Sequence, residues 1–120
     1  MIDEAENTEE QLQVAFPASP TFTRIGRVAV VGLALRLGID VSTVEQLRSA
    51  VDAAVSALQG DGRIRAAASW TANSLSVIIS NPDVAIGDRE ALTSELWALI
   101  GETVVVDRDQ VTLTLPTTER

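Results

Sequence analysis

Residues 44–58 have the sequence VEQLRSAVDAAVSAL, and its apolar side chains recur at the spacing of a helix. Five of them fall on one side of that helix: Val44, Leu47, Val51, Val55 and Leu58. Ser42 with Glu45 three positions later matches a capping box, which is typical of a helix start. The sequence therefore predicts an amphipathic helix from about Ser42 to Gln59, with one face in a core.

Two elements are predicted before this helix. Residues 11–16 alternate between polar and apolar side chains, as a half-buried strand does. Ser19 and Pro20 then match the cap and first turn of another helix. That helix is expected to run to about Leu37 and to stop at Gly38.

Five further elements are predicted after residue 59. Residues 63–70 and 74–80 alternate and are separated by a short polar turn, so they predict an antiparallel hairpin. Asp88 is placed to cap a third helix, and residues 103–106 and 111–115 form a closing hairpin. The apolar stripe of the third helix is Leu92, Leu96, Leu99 and Ile100. The order βααββαββ predicts an α/β (α+β) two-layer sandwich, with a mixed, mostly antiparallel five-stranded sheet and three helices on one face.

The chain of 120 residues is expected to form one domain over residues 11–116. Residues 1–10 hold five of the 17 acidic residues of a protein with net charge −8. Such a segment predicts a disordered, solubilising tail, with screening of a basic partner surface as the alternative. Residues 117–120 are expected to fray.

Composition excludes several classes of function. The chain has no Cys and no His, which removes thiolate chemistry and the commonest metal ligand, so no metal and no cofactor are expected. All nine basic residues are arginines scattered along the chain, so no nucleic-acid surface is predicted. The longest apolar run, residues 28–35, is too short to span a membrane, and the first residues are acidic. We therefore expect a cytoplasmic protein with no membrane contact.

The order of elements, together with two stretches of sequence, resembles a known family. Residues 27–40, RVAVVGLALRLGID, and residues 44–58 are similar to two helices of the anti-sigma-factor serine kinases. These kinases are small members of the GHKL (histidine-kinase-like) ATPase superfamily. Their first helix carries an early Arg, and their second ends in a pattern like Ala-Val-x-Glu-Ala-x-x-Asn-Ala. The resemblance covers nearly the whole domain and implies a GHKL ATPase-like fold.

The residues that the family uses for chemistry are missing from this chain. The Glu that is the family's presumed general base aligns with Ala53, and the Asn that binds Mg²⁺ aligns with Ala57. The Asp-x-Gly-x-Gly box that holds adenine aligns with residues 79–84, ISNPDV, and the phosphate-binding Gly-x-Gly aligns near Glu90 and Leu92. The connection of residues 81–87 is also short for a nucleotide lid. The resemblance thus implies no catalytic residues and an emptied ATP site.

Asp52 lies beside the position of the missing Glu, but one residue is a rotation of about 100° around a helix. Asp52 is expected to pair with Arg48 instead. An active serine kinase with a rearranged site using Asp52, Asp83 or Asp88 remains an alternative. So does an unrelated sandwich in which Ala50, Ala54 and Ala57 simply permit close helix packing.

The hypothesis that we carry forward is a non-enzymatic regulatory domain that acts by binding proteins. The resemblance implies a sigma-factor or partner-switching pathway, with a sigma factor or an anti-sigma antagonist as partner, and a homodimer. Arg27 matches the family Arg that contacts a protein partner, and Arg24 and Val31 lie one turn to either side of it. A solvated helix face is the alternative role for these arginines.

The first helix also carries more apolar residues than one buried stripe needs: Ile25, Val28, Ala29, Val30, Val31, Leu33, Ala34, Leu35 and Leu37. A partner or a second copy of the chain would cover the surplus. The alternative is that the second helix and the first strand cover it within the monomer. A plain homo-oligomerisation domain is the remaining functional alternative.

Overall fold

We describe the fold from a computed structural model of the chain, which covers residues 10–101 and 103–117, and only the backbone of Glu10. The predicted tail before residue 10, Glu102 and residues 118–120 lie outside the described residues. The elements are β1 (Glu10–Pro17), α1 (Thr23–Arg36), α2 (Val41–Ala57), β2 (Arg63–Trp70), β3 (Ser74–Ser80), α3 (Arg89–Leu99), β4 (Val105–Val106) and β5 (Gln110–Pro116). This order confirms the predicted succession of strands and helices, with a 3-10 turn (Pro20–Phe22) added before α1.

The sheet has the strand order β1-β2-β3-β5-β4. Every pairing in the described part is antiparallel, which corrects the predicted mixed sheet. The reason lies in the crossover through α3. The chain leaves β3 and passes through α3 to β4, which runs in the same direction as β3 but lies at the far edge. The β4–β5 hairpin then brings β5 back into the gap, so that it pairs with β3 in the antiparallel sense.

One face of the sheet is covered by the helices and the other is polar. The covered face presents the buried side chains Phe16, Ile64, Ala66, Ala68, Leu75, Val77, Ile79, Val111, Leu113 and Leu115. The opposite face carries mainly Ser, Thr, Gln and Arg, as alternation along antiparallel strands requires. The molecule therefore has two layers and one core between them.

The helix α2 supplies the densest part of that core. All five residues of its predicted stripe are buried. Its N-terminus differs from the prediction, because the cap is Asp40, whose Oδ1 accepts a hydrogen bond from the Thr43 backbone N–H at 3.0 Å. Asp40 has the extended backbone of an N-cap, whereas Ser42 already lies within the first turn.

The helix α1 packs against α2 and β1. It begins through the 3-10 turn, and the side chain of Ser19 makes no capping hydrogen bond to the described residues. Gly38 has a φ of +81°, a backbone conformation that favours glycine, and this confirms it as the stop. Gly26 lies against the Phe16 ring, where an added Cβ would be 3.0 Å from Cζ. A glycine at this position lets the helix approach the sheet.

The closing part of the chain confirms the predicted cap of the third helix but shortens the last hairpin, since β4 covers only Val105–Val106 of the expected residues 103–106. The Asp88 carboxylate caps α3 by accepting a hydrogen bond from the Ala91 N–H at 3.0 Å. The Trp97 Nε1–H donates to the Val104 carbonyl at 2.9 Å and joins α3 to the chain before β4. Thr117, expected in the frayed end, donates from its backbone N–H to the Asn73 carbonyl at 3.0 Å.

No helix in the described part of the chain is long and apolar enough to cross a membrane.

Candidate protein-binding surface

The helix α1 leaves a row of apolar side chains uncovered. Its buried residues are Gly26, Val30, Leu33 and Ala34. On the opposite side, Val28 is 63% exposed and Leu35 is 53% exposed, and Phe22 and Ile25 are also exposed. Because these positions are three to seven residues apart, they lie in one row along the helix. We call Phe22, Ile25, Val28, Gly32 and Leu35 the α1 outer face.

A groove adjoins the C-terminal half of this face. Its volume is about 490 Å³, and its walls come from α1, the start of β1 and the end of β2. The lining residues are Leu12, Ala29, Gly32, Leu33, Arg36, Leu37 and Trp70. Gly32 belongs both to the groove and to the outer face, so the two features form one continuous apolar surface.

The charge of this region is opposite to that of the whole protein. Residues 18–39 contain three arginines and no acidic residue, in a chain of net charge −8. Arg24 and Arg36 are exposed and form no ion pair with any described residue. The α1 outer face is thus an apolar strip with a cationic side chain near each end.

Arg27 forms an ion pair within the molecule. Its Nη1 donates to Asp52 Oδ2 at 3.1 Å, which ties α1 to α2. This contact corrects the expected pairing of Asp52 with Arg48, because Arg48 donates to Glu45 at 2.8 Å instead. Of the three residues predicted to bind a partner, Arg24 is exposed, whereas Arg27 and Val31 are half-buried.

The sequence predicts the surplus of apolar residues on this helix, but it does not identify Val28 and Leu35 as the most exposed of them. The sequence of α1 does not show which of its sides faces outward, because apolar residues occur on nearly every side of the helix. Which side faces outward is decided by the packing of α1 on β1 and α2.

The residues that the resemblance aligns with nucleotide-binding motifs lie in two kinds of surroundings. Ala53 and Ala57 are half-buried on α2 and pack against the core, and Leu92 is a core residue of α3. Glu90 and Asp83 are exposed. No cluster of three potential metal-ligating side chains occurs among the residues that the structure describes.

Asn81, within the segment aligned with the adenine-binding box, is a fully buried clamp. Its Nδ2 donates to the Leu58 carbonyl at 3.0 Å and to the Asp61 carbonyl at 2.9 Å. Its Oδ1 accepts from the Asp83 N–H at 3.0 Å. The side chain thus holds the end of α2, the turn before β2 and the end of β3 together, and its polar atoms are occupied by the backbone.

A second cleft of about 590 Å³ lies beside this clamp, where the polar face of the sheet meets the loops. Its charged lining residues are Arg63, Arg65, Asp83 and Asp109. Arg63 donates to the Ala15 carbonyl at 3.3 Å, and Arg65 donates to Gln13 Oε1 at 3.2 Å. Both arginines are therefore already engaged with β1.

No protein-family model matches this chain, and no curated protein is similar to it in sequence.

Proposed function

We propose that this chain is a non-catalytic protein-binding domain whose docking surface is the α1 outer face together with the adjoining groove. The observation that carries the proposal is the exposure of Val28 and Leu35 beside the groove. Exposed apolar residues that form a continuous patch with a polar rim are typical of interaction sites. A single exposed valine or leucine would carry no such meaning.

The charge of the surface specifies the partner. Arg24 and Arg36 stand near the two ends of the strip, and no carboxylate lies between them in the sequence of α1. The fitting partner is a protein segment that presents apolar side chains in a row and acidic side chains at both ends. We expect the apolar contacts to supply most of the affinity and the arginines to set the orientation.

The narrower hypothesis places this binding in a sigma-factor or partner-switching pathway. What supports it is the resemblance of residues 27–58 to the anti-sigma-factor kinases and the alanines at positions 53 and 57. Those alanines also support a domain that has lost ATP binding. A cytoplasmic location belongs to the same hypothesis.

The docking surface is tested with a matched pair of exposed valines. A photoreactive residue at position 28, with position 98 on α3 as control, identifies the partner in cells of the source organism. The purified partner is then titrated against Val28→Ser and Val105→Ser, since Val105 is 52% exposed at the other edge of the sheet. We expect Val28→Ser to weaken binding about tenfold, because burial of a valine contributes roughly 1.5 kcal/mol or more. Val105→Ser is expected to leave the affinity within about twofold.

Equal effects of the two substitutions would overturn the docking surface. So would a partner that cross-links from position 98 but not from position 28. Charge reversal Arg24→Glu tests the electrostatic part, and it is expected to weaken binding more at low salt than at high salt.

The absence of ATP binding is tested separately. A ligand present at a hundred times its Kd stabilises a protein by about 2.7 kcal/mol. We expect no change in Tm with Mg-ATP, and a shift abolished by Asp83→Ala would support the active kinase instead.

A second candidate function is self-association, and the observation that favours it is the position of β1. This strand of eight residues forms one edge of the sheet, next to α1. The outer backbone groups of an edge strand can pair with a second copy. Light scattering on the wild type and on Val28→Ser tests it. A dimer that persists in Val28→Ser is expected for pairing through β1, whereas a dimer that Val28→Ser converts to a monomer would place the second copy on the α1 outer face.

A further inference from the structure

We infer that the chain's own acidic residues 1–9 dock on the α1 outer face and its groove, with carboxylates beside Arg36 and Arg24, and so compete with the protein partner for that surface. The competition rests on the proposed function, whereas the docking itself does not.

The first argument is position. The backbone of Glu10 pairs with Trp70 at the start of β1. Trp70, Leu12 and Arg36 all line the groove. The segment that precedes residue 10 therefore joins the domain at the mouth of the groove.

The second argument is length. Nine residues in extended conformation reach at most about 30 Å. The 14 residues of α1 span about 21 Å at 1.5 Å per residue, and Arg24 and Arg36 are about 18 Å apart along the axis. The segment is thus long enough to lie along the whole outer face.

The third argument is chemistry. Residues 1–9, MIDEAENTE, combine four carboxylates with the apolar pair Met1 and Ile2. The acidic residues stand at positions 3, 4, 6 and 9, so an extended segment carries negative charge at both ends of its span. This matches a strip with Arg36 near the point of attachment and Arg24 at the far end. Met1 and Ile2 would then pack against the apolar residues near Ile25.

Because residues 1–9 are covalently attached to the domain, a weak contact is enough to keep them docked for much of the time. A short linker holds a segment at an effective concentration in the millimolar range, so even millimolar intrinsic affinity leaves it docked for about half of the time. A partner that needs the same surface binds in proportion to the undocked fraction. Neutralising the segment is therefore expected to strengthen partner binding about two- to tenfold.

The docking is tested by paramagnetic relaxation in the full chain. Because the chain has no Cys, Ala5→Cys creates a single site for a nitroxide label. We expect broadening of backbone amide signals along residues 24–36 and at Trp70, with no partner present. Raising the salt to 1 M, where the Debye length is about 3 Å, is expected to remove most of it.

Two charge-matched variants of the labelled chain make the test specific. The first neutralises the segment with Asp3→Asn, Glu4→Gln, Glu6→Gln and Glu9→Gln. The second neutralises four exposed acidic residues elsewhere, with Asp61→Asn, Glu90→Gln, Glu95→Gln and Asp107→Asn. Broadening on α1 is expected to disappear in the first variant and to persist in the second.

Broadening confined to residues 10–14, or broadening centred on another element, would overturn the docking. Broadening on α1 that survives in the first variant would overturn the charge argument. This readout is independent of the partner, so a failed cross-link from position 28 removes the proposed function and leaves the docking standing. A partner that binds the neutralised variant no more tightly than the wild type would refute the competition alone.

Discussion

The consecutive helices α1 and α2 are both rich in apolar residues, yet they use them differently. In α2 six residues are buried, and the large apolar residue that is left exposed, Val41, lies at the N-terminal end. In α1 four residues are buried, two of them Gly and Ala, and Val28 and Leu35 face outward. The helix that contributes less to the core therefore carries the surplus of apolar surface.

This difference between the two helices shows that an apolar side chain can serve either the stability of the fold or the binding of a partner. Removal from water within the chain stabilises the fold, whereas an exposed apolar row gains its free energy only when something covers it. The helix α2 sits over the middle of the core and α1 over the β1 edge. Stability and binding are thus expected to respond to different helices, and the following predictions test that separation.

Leucine truncation in the two helices gives the largest contrast. Leu47 in α2 is 0% exposed, and Leu35 in α1 is 53% exposed. We expect Leu47→Ala to lower the free energy of unfolding by about 2–5 kcal/mol, because it leaves a cavity in the core. Leu35→Ala is expected to change it by less than about 0.5 kcal/mol. Urea denaturation of both variants measures this, and equal losses would mean that the α1 outer face is covered in solution.

The next largest effect on stability is expected at Asn81, whose side chain holds the end of α2. We expect Asn81→Ala to destabilise the protein by about 2–3 kcal/mol, because two carbonyls and one N–H lose their partner in or near the core. Asn73→Ala, in the exposed hairpin turn, is the matched control and is expected to cost less than about 0.5 kcal/mol. A loss below 1 kcal/mol for Asn81→Ala would show that water replaces the amide.

Two glycines within α1 sharpen the contrast between its two sides. Alanine at either site gains up to about 1 kcal/mol of helix propensity. At Gly26 the new Cβ meets the buried Phe16 ring at 3.0 Å, and overpacking costs about 1–3 kcal/mol, so we expect net destabilisation. At Gly32 the Cβ meets no described atom within 4 Å, so Gly32→Ala is expected to raise the Tm. Thermal unfolding would contradict this if both variants moved in the same direction.

The ion pair between the two helices is a smaller effect. Arg27 and Asp52 have half-exposed side chains, and such pairs contribute about 0.2–1 kcal/mol. We expect Arg27→Asp to destabilise by roughly that amount, and the swap Arg27→Asp with Asp52→Arg to restore most of it. If the double variant is no more stable than the single one, the pair has no net coupling. A partner that binds the swap as tightly as the wild type would show that the charge of Arg27 does not contribute to partner binding.

The sequence predicts the elements of this fold well because their signals are local. The stripe of α2 and the alternation of β2 and β3 depend only on residues within each element, and the bounds of that hairpin are confirmed. Contacts between distant residues could not be predicted in the same way. Asp52 has two arginines within reach, and its pairing with Arg27 depends on the packing of α1 on α2.

The candidate surface was predicted in part. Arg24 and the surplus of apolar residues followed from the sequence, but the outward side of α1 depends on its neighbours. Asn81 had no distinguishing signal, since an asparagine before a proline is typical of an exposed loop. Its burial arises because three segments of the chain meet at that point.

The smallest expected effect concerns the N-cap of α2. Asp40 and Ser42 are both of a residue type that caps helices, and the two can be distinguished by the pH dependence of stability. Hydrogen bonds from the Thr43 side chain, and then from its backbone N–H, lower the pKa of Asp40 from its usual value of 3.8. A carboxyl with a lowered pKa in the folded state stabilises the protein above its unfolded pKa, and this contribution is lost as the pH falls through the folded value. We therefore expect Asp40→Asn, which keeps a capping group but removes the charge, to lower the Tm at pH 7 and to match the wild type more closely near pH 2. Ser42→Ala is expected to shift the Tm equally at both pH values, because Ser42 is not the cap. A large loss of Tm in Ser42→Ala at both pH values, with no pH-dependent loss in Asp40→Asn, would return the cap to Ser42.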